Sequence, residues 1–296
     1  MNKLSLFTLI TLLIVSCKSN KNEYDASGTF EAVETLVSAE ASGTVKELNL
    51  EEGQILEKGQ LIGYIDSTQL YLKRKQIEAQ IKALLSKMPN VQAQVAALEE
   101  QLKQAEREQK RITNLLKGDA ATQKQLDDVT TQISVLKKQI EAQQSSLGIT
   151  SNGLNEETVP LKVQIEQLND QLEKCRIVNP MKGTVLVKYI ELNEMTLAGK
   201  PLYKLADLST LMLRAYITGD QFSRVKTGQA VKVLADDGKS ASKEYQGVIE
   251  WISDKAEFTP KTIQTKDERA NLVYAIKIKL RNDGLLKIGM YGEVKF

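Results

Sequence analysis

A repeated segment that is divided by a long insertion constrains the fold of this chain more than any other feature. Residues 41–65 read ASGTVKELNLEEGQILEKGQLIGYI, and residues 181–205 read MKGTVLVKYIELNEMTLAGKPLYKL. Each copy has short runs of alternating apolar residues separated by Gly or Asn turns, which predicts a small antiparallel sheet unit. One copy cannot bury its own apolar face, so we expect the two to pack together. This predicts that residues 66 and 177 lie close in space.

The insertion between the two copies has a heptad pattern. Apolar residues recur at steps of three and four in three stretches, from Leu70 to Leu116, from Leu126 to Leu147 and from Leu161 to Cys175. This pattern is typical of coiled-coil helices. Thr122, followed by Gln125, predicts a capping box at a helix N-terminus, and Gly118 suits a helix C-terminus. The insertion therefore predicts an antiparallel helical hairpin with its tip at 117–122.

Both arms of this hairpin contain an interruption in the sequence pattern. Pro89 lies in the ascending arm, and residues 148–160 (GITSNGLNEETVP) lie in the descending arm at about the same distance from the tip. We therefore predict that both arms are interrupted at one level, as a joint in the rod. The spacing from Leu147 to Leu161 is two heptads, so the seam keeps its phase.

The chain after Asp207 changes to a strand pattern. Alternating runs separated by Gly turns predict strands at Leu211–Ile217, Ala230–Leu234, Gly247–Ile252, Val273–Leu280 and Gly292–Phe296. We expect residues 208–296 to form a small β-barrel. Trp251, the only tryptophan, is expected in the barrel core or in an interface.

The N-terminus has the pattern of a secretion signal. Lys3 precedes an apolar run that is too short to span a bilayer, so residues 1–16 are predicted to be a signal peptide. Cys17 follows directly, and residues 14–17 (IVSC) resemble the bacterial lipobox, in which the cysteine is acylated. The alternative is a cleaved soluble signal with an incidental cysteine. Residues 17–27 then form a polar tether.

Composition argues against several classes of function. The chain has no histidine, which removes the commonest general base and the commonest metal ligand. Its net charge of +2 leaves little field to attract nucleic acid. No Walker-type loop is present, so any ATP would be hydrolysed by another polypeptide. We expect no catalytic residue, no cofactor and no metal, and we expect Cys175 to be unpaired if Cys17 is acylated.

The repeat carries a resemblance to a known family. Gly43-Thr44-Val45, followed by EEGQ and KGQLI, resembles the biotinyl-lipoyl half-motif, and its split arrangement resembles the HlyD-like membrane fusion proteins. A biotin or lipoyl carrier is the alternative, but the first copy ends in IDST at 65–68, without an attachment lysine. Met181-Lys182 aligns with the start of the second copy and is interpreted as a strand entry.

The resemblance implies an elongated α+β fold. Its parts are a split biotinyl-lipoyl-like β-sandwich (28–66 and 176–207), an inserted coiled-coil α-helical hairpin (67–175) and the small β-barrel (208–296).

The tip of the hairpin adds a specific match. Arg111, Leu115 and Thr122 fit the R-x3-L-x6-S/T pattern with which membrane fusion proteins dock onto a TolC-like outer-membrane channel. The alternative is purely structural: Arg111 would be a solvated surface residue, Leu115 would broaden the apolar stripe, and Thr122 would be a helix cap.

The resemblance implies a periplasmic adaptor between an inner-membrane transporter and that channel. Such an adaptor forms a homo-oligomeric ring or tube and would be lipid-anchored at Cys17, in the inner membrane by preference. The segment 257–275 resembles adaptors of ABC exporters, and the chain ends at Phe296 where adaptors of RND pumps usually continue. An ABC partner is therefore favoured over an RND partner. A lipid-anchored coiled-coil spacer without a transport role is the remaining alternative.

Overall fold

The computed structural model describes residues 24–236, 242–258 and 272–296. The first strands are β1 (Ala26–Glu31), β2 (Glu34–Ser38), β3 (Gly43–Leu48), β4 (Ile55–Leu56) and β5 (Leu61–Ile65). Three helices follow: α1 (Thr68–Leu85), α2 (Val91–Lys117) and α3 (Gln123–Lys174). The later strands are β6 (Arg176–Val178), β7 (Gly183–Lys188), β8 (Met195–Thr196), β9 (Pro201–Ala206), β10 (Thr210–Thr218), β11 (Ala230–Asp236), β12 (Ser242–Phe258), β13 (Leu272–Arg281) and β14 (Tyr291–Lys295). A single 3₁₀ turn spans Phe222–Arg224 within the described residues.

Six strands form a closed barrel in the order β1-β10-β13-β12-β11-β14. Burial alternates strictly along β10, as expected for a strand with one face on a core. The inward side chains include Phe30, Leu213, Ile217, Ile278 and Val294, all of which are fully buried. The five strands that were predicted after Asp207 are present; four are longer than predicted, and the last is shifted by one residue to Tyr291–Lys295.

The first barrel strand corrects the predicted division of the N-terminal region. Residues 17–27 were expected to be a tether and 28–66 the first sheet unit, but β1 belongs to the barrel. Ser27 pairs with Tyr216 of β10, and Ala26 pairs with Val294 of β14. β1 therefore hydrogen-bonds on both sides and closes what would otherwise be two open sheet edges.

Two four-stranded sheets, β2-β9-β7-β4 and β6-β5-β3-β8, combine strands from both copies of the repeat. The two copies exchange their short strands: Leu56 in β4 pairs with Gly183 in β7, and Gly43 in β3 pairs with Thr196 in β8. The predicted proximity of residues 66 and 177 agrees with the pairing of β5 and β6, where the Ile65 amide donates to the Cys175 carbonyl (2.7 Å).

The helices run as two antiparallel arms. Bonds between the arms join Arg74 to Asn169 (3.1 Å, side chain to side chain) and Gln109 to Thr130 (3.0 Å). All but one of the buried helix residues are members of the predicted heptad seam, namely Ile77, Val95, Ala105, Ile112, Ile133, Leu136, Ile140, Leu147 and Leu168. The exception is Thr158.

The predicted joint exists in only one arm. The ascending arm breaks between α1 and α2, where Asn90 caps α2 by accepting from the Ala93 amide (3.1 Å). The descending arm was predicted to be interrupted at 148–160, which was wrong, because α3 is continuous and contains Pro160. The spacing of two heptads between Leu147 and Leu161 explains this, because Thr158 lies in phase with the seam although its segment was predicted to be interrupted. Thr158 is fully buried, and its hydroxyl donates to the Asn155 carbonyl (2.7 Å).

Trp251 was expected in the barrel core or in an interface, and the core alternative is wrong. Its side chain is exposed on the outer face of β12, and the Lys277 ammonium lies 5.4 Å from the centre of its ring. An inward tryptophan would need a partner for its N–H, whereas here the ring makes a cation–π contact at the surface.

Candidate functional site

The tip of the helical rod is a short turn that is fixed by backbone bonds. α2 ends at Lys117, Gly118 follows as its cap, and Asp119 adopts a left-handed conformation (φ 57°). The Ala120 amide donates back to the Leu115 carbonyl (2.9 Å). These bonds satisfy carbonyl groups at the end of α2 and reverse the chain within five residues.

Thr122 begins the descending helix with the predicted capping box. The Gln125 amide donates to the Thr122 hydroxyl oxygen (3.3 Å), and the Thr122 amide donates to Gln125 Oε1 (2.8 Å). The prediction of a capping box is therefore confirmed. The Thr122 side chain is exposed, so it remains accessible while it caps the helix.

Arg111 forms a fork-like ion pair on the surface of α2. Its Nε donates to Glu108 Oε2 (2.8 Å), its Nη2 contacts Oε1 of the same carboxylate, and its side chain is 65% exposed. The pairing raises the pKa of Arg111 and lowers the pKa of Glu108. Exposed pairs of this kind contribute little to stability, so the guanidinium can change its partner at small cost.

Leu115 lies one helical turn after Arg111, on the same face of α2. Its side chain is exposed, whereas that of Ile112 is buried against the other arm. Arg111 and Leu115 therefore form a small outward face beside the turn, and Thr122 lies across the turn from them. The predicted acylation site, Cys17, lies outside the described residues.

One residue of structural importance was not predicted from the sequence. Asn179 is fully buried between the two copies of the repeat, and its side-chain amide donates to the Glu57 carbonyl (2.9 Å) and to the Met181 carbonyl. Its Oδ1 accepts from the Tyr203 hydroxyl (3.1 Å). Burial raises the pKa of Tyr203 to about 12. The only sequence signal is a polar residue before Pro180, which is also typical of an ordinary turn.

Metal-ligand groups and membrane-spanning helices are both absent from the described part of the chain. It contains no group of three or more acidic, cysteine or histidine side chains placed to hold a metal ion. None of the helices in that part combines the length and apolar character that crossing a membrane requires.

Comparison with known proteins identifies similar chains. No family model matches. The UPF0194 membrane protein YbhG of Salmonella arizonae is 35% identical over 126 residues, which is 42% of this chain and only 38% of that relative. The chain therefore matches well under half of the relative's length.

Two solved structures share the fold. MacA from Actinobacillus actinomycetemcomitans matches with a TM-score of 0.52 and 22% identity, over 91% of this chain and 76% of that one. A MacA-MexA chimera that carries the α-hairpin domain of Pseudomonas aeruginosa MexA matches with a TM-score of 0.50 and 20% identity, over 91% and 78% of the two chains. Identities of this size show the fold alone. This chain has the same fold as these two proteins, which agrees with the resemblance of its sequence to the membrane fusion proteins.

Proposed function

We propose that this chain is a non-enzymatic periplasmic adaptor that links an inner-membrane transporter to a TolC-like outer-membrane channel for efflux or secretion. The observation that supports it most is the exposed face of Arg111 and Leu115 at the tip of a long two-helix rod. α3 has 52 residues, so at 1.5 Å per residue the rod is about 78 Å long. A rod of this length suits a part that reaches a partner far from the barrel.

The chemistry of the tip fits a docking contact. A channel acceptor that replaces Glu108 as the partner of Arg111 would form a charge-assisted bond at little cost to the rod. Leu115 would add apolar area beside that bond. Thr122 would take part as an exposed side chain while it keeps its capping role.

Other parts of the proposal concern membrane and partners. We propose that Cys17 is acylated, that the lipid is held in the inner membrane, and that several copies assemble into a ring or tube. The sequence of residues 257–275 favours an ABC exporter over an RND pump, although most of that segment lies outside the described residues. Co-purification after mild cross-linking, with mass spectrometry of the partners, would decide between the two transporters.

The docking proposal is tested by charge reversal at the tip. We expect Arg111→Asp and Leu115→Asp each to abolish cross-linking to the channel, because losing a desolvated contact costs about 2–5 kcal/mol and every protomer repeats it. Both residues are exposed, so the melting temperature should change little. Matched controls lie on the rod away from the tip: Lys138→Asp, at another exposed ion pair, and Val135→Asp, at another exposed apolar residue. Both controls should keep cross-linking and export.

Variants at Thr122 separate capping from docking. Thr122→Ser keeps the cap and the hydroxyl, whereas Thr122→Asp keeps the cap but replaces the hydroxyl by a carboxylate. We expect both to melt like the wild type, with cross-linking lost only in the Asp variant. Unimpaired cross-linking and export in the Arg111, Leu115 and Thr122 variants would refute the docking tip. Export that is unchanged when the gene is deleted would favour the coiled-coil spacer.

A further inference from the structure

One end of the barrel carries three apolar side chains that point into solvent. Phe258, the last residue of β12, is 84% exposed, and Leu272, the first residue of β13, is 56% exposed. Phe222, in the 3₁₀ turn after β10, is 42% exposed, and its ring packs edge-on against Tyr274 (centroids 5.1 Å apart, 64° between planes). Exposed aromatic residues grouped at the end of a domain are typical of a contact surface.

This end of the barrel is also where the chain enters from the N-terminus. Asp25 precedes β1, and its carbonyl accepts from the Gln221 side-chain amide (2.6 Å). Gln221 Oε1 accepts in turn from the Thr218 amide (3.0 Å) at the end of β10. Thr218 pairs with Val273, which pairs with Glu257, the neighbour of Phe258. These contacts place the start of β1 at the same end of the barrel as the exposed apolar side chains.

The proposed lipid anchor lies a short distance along the chain from this end. Asp25 follows Cys17 by eight residues. Eight residues span at most about 28 Å when fully extended. An acyl chain at Cys17 would therefore hold the entry point of the barrel within reach of the lipid headgroups.

Charges at this end balance one another. The exposed cations Arg224, Lys226 and Lys255 are accompanied by the acidic residues Asp25, Asp220 and Asp254. Glu257 is paired with Arg214 (3.1 Å). A surface without net charge gains little electrostatic binding energy from anionic lipid. Its binding to a membrane would therefore come from burial of apolar side chains.

We propose that Phe222, Phe258 and Leu272 insert into the interface of the bilayer that holds Cys17, so that the barrel itself contacts the lipid. This inference rests on the proposed lipid anchor and deepens it. The acyl chain supplies attachment, and the three side chains fix which end of the barrel faces the membrane. Lipid is the occupant favoured by the short tether, and a transporter surface at this end is the competing outcome.

The test uses depth-dependent fluorescence quenching on liposomes. Because Cys175 is buried, the Cys17 thiol of the chain without its signal peptide can be coupled selectively to a maleimide phospholipid, which reproduces the anchor without natural acylation. Phe258→Trp is introduced together with Trp251→Phe, so that the emission reports residue 258 alone. We expect lipids brominated near the headgroup to reduce this emission by about half, equally in neutral and anionic liposomes and at low and high salt.

The matched control is Val33→Trp in the same background. Val33 is 76% exposed but follows the opposite end of β1, so it should be quenched by aqueous acrylamide and not by brominated lipid. Equal acrylamide quenching at residues 258 and 33, with no lipid quenching at either, would overturn the inference. An intact mass without an acyl group on Cys17 would instead refute the natural anchor. The liposome assay would still test membrane contact by the barrel, because its lipid is coupled chemically.

Discussion

Asn179 links the two copies of the repeat through a network of buried hydrogen bonds that includes Tyr203. The Tyr203 hydroxyl is the donor to Asn179, and Asn179 connects it to the loop around Glu57. Both side chains are fully buried, so neither can exchange this bond for water. Stability of the two sheets should therefore depend on the protonation of Tyr203.

We expect the free energy of unfolding to fall at alkaline pH because of Tyr203. Its pKa is about 12 in the folded chain, against about 10 when unfolded, so the unfolded chain releases this proton first. Stability from this group is complete below pH 10 and decreases by about 2–3 kcal/mol as the pH rises to about 12. Denaturant unfolding between pH 8 and 12 measures the slope.

Two variants test whether Tyr203 causes the loss of stability at alkaline pH. Tyr203→Phe should be less stable than the wild type at pH 8 but should lose less stability on going to pH 12. Tyr64→Phe, at an exposed tyrosine, should keep the wild-type slope. An identical slope in the wild type and in Tyr203→Phe would contradict the assignment.

Sequence patterns predicted residues with a local signal and missed residues defined by tertiary contacts. The Thr122 capping box was predicted because its two partners lie three residues apart. Asn179 was missed because its partners include Glu57, 122 positions away, and the segment reads as a turn before proline. The roles of Arg111, Leu115 and Cys17 remain predictions.

At the scale of elements, α3 maintains a continuous helix through a segment that looked broken. Pro160 lacks an N–H group, so the Glu156 carbonyl has no donor at the usual position four residues on. Packing of seam positions such as Thr158 and Leu168 against the other arm offsets this local loss. Local propensity predicted a break, whereas the phase of the heptads, also present in the sequence, was the better guide.

We expect Pro160→Ala to stabilise the rod. The substitution restores one helix hydrogen bond and removes the clash of the proline ring, which should raise the free energy of unfolding by about 1–3 kcal/mol. Thermal unfolding followed by far-UV circular dichroism measures it, with Glu157→Ala at a neighbouring exposed position as a nearly neutral control. A lower melting temperature for Pro160→Ala would mean that the seam is built around the proline.

At the scale of the whole molecule, the barrel is completed by a strand that lies far from the others in sequence. Residues 26–31 (ASGTFE) are too weakly patterned to indicate which sheet they join. The barrel strands after Asp207 were predicted because they alternate and are separated by Gly turns. The membership of β1 depends on the free edges of β10 and β14, which a local pattern does not reveal.

We expect Gly28→Ala to open the barrel beside β1. A Cβ at this position would lie 1.9 Å from the Arg214 carbonyl oxygen and 2.6 Å from the Ala215 Cα, so the backbone of β10 would have to move. The cost should be about 3 kcal/mol or more. Gly219→Ala, where a Cβ meets no atom within 4 Å, is the control and should be nearly neutral.

The single tryptophan makes this measurement specific to the barrel. Trp251 lies in β12, so its fluorescence follows the barrel, whereas far-UV circular dichroism follows mainly the helices. In Gly28→Ala the fluorescence transition should move to lower denaturant while the helical transition moves less. Coincident, unshifted transitions would show that the β1–β10 contact tolerates the methyl group.

The pairing of β1 with β14 also sets the order in which this chain can assemble. Ala26 is in register with Val294, so the sheets and the rod are enclosed between two strands that must meet last. Contacts between the helices at the rod tip join residues that are close in sequence, so they can form first. The exchange of β4 and β8 needs both copies of the repeat, and closure of the barrel needs β14. In a chain exported from its N-terminus, β1 should therefore stay unpaired until β10 and β14 follow, and the end of the barrel nearest the proposed anchor should become rigid last.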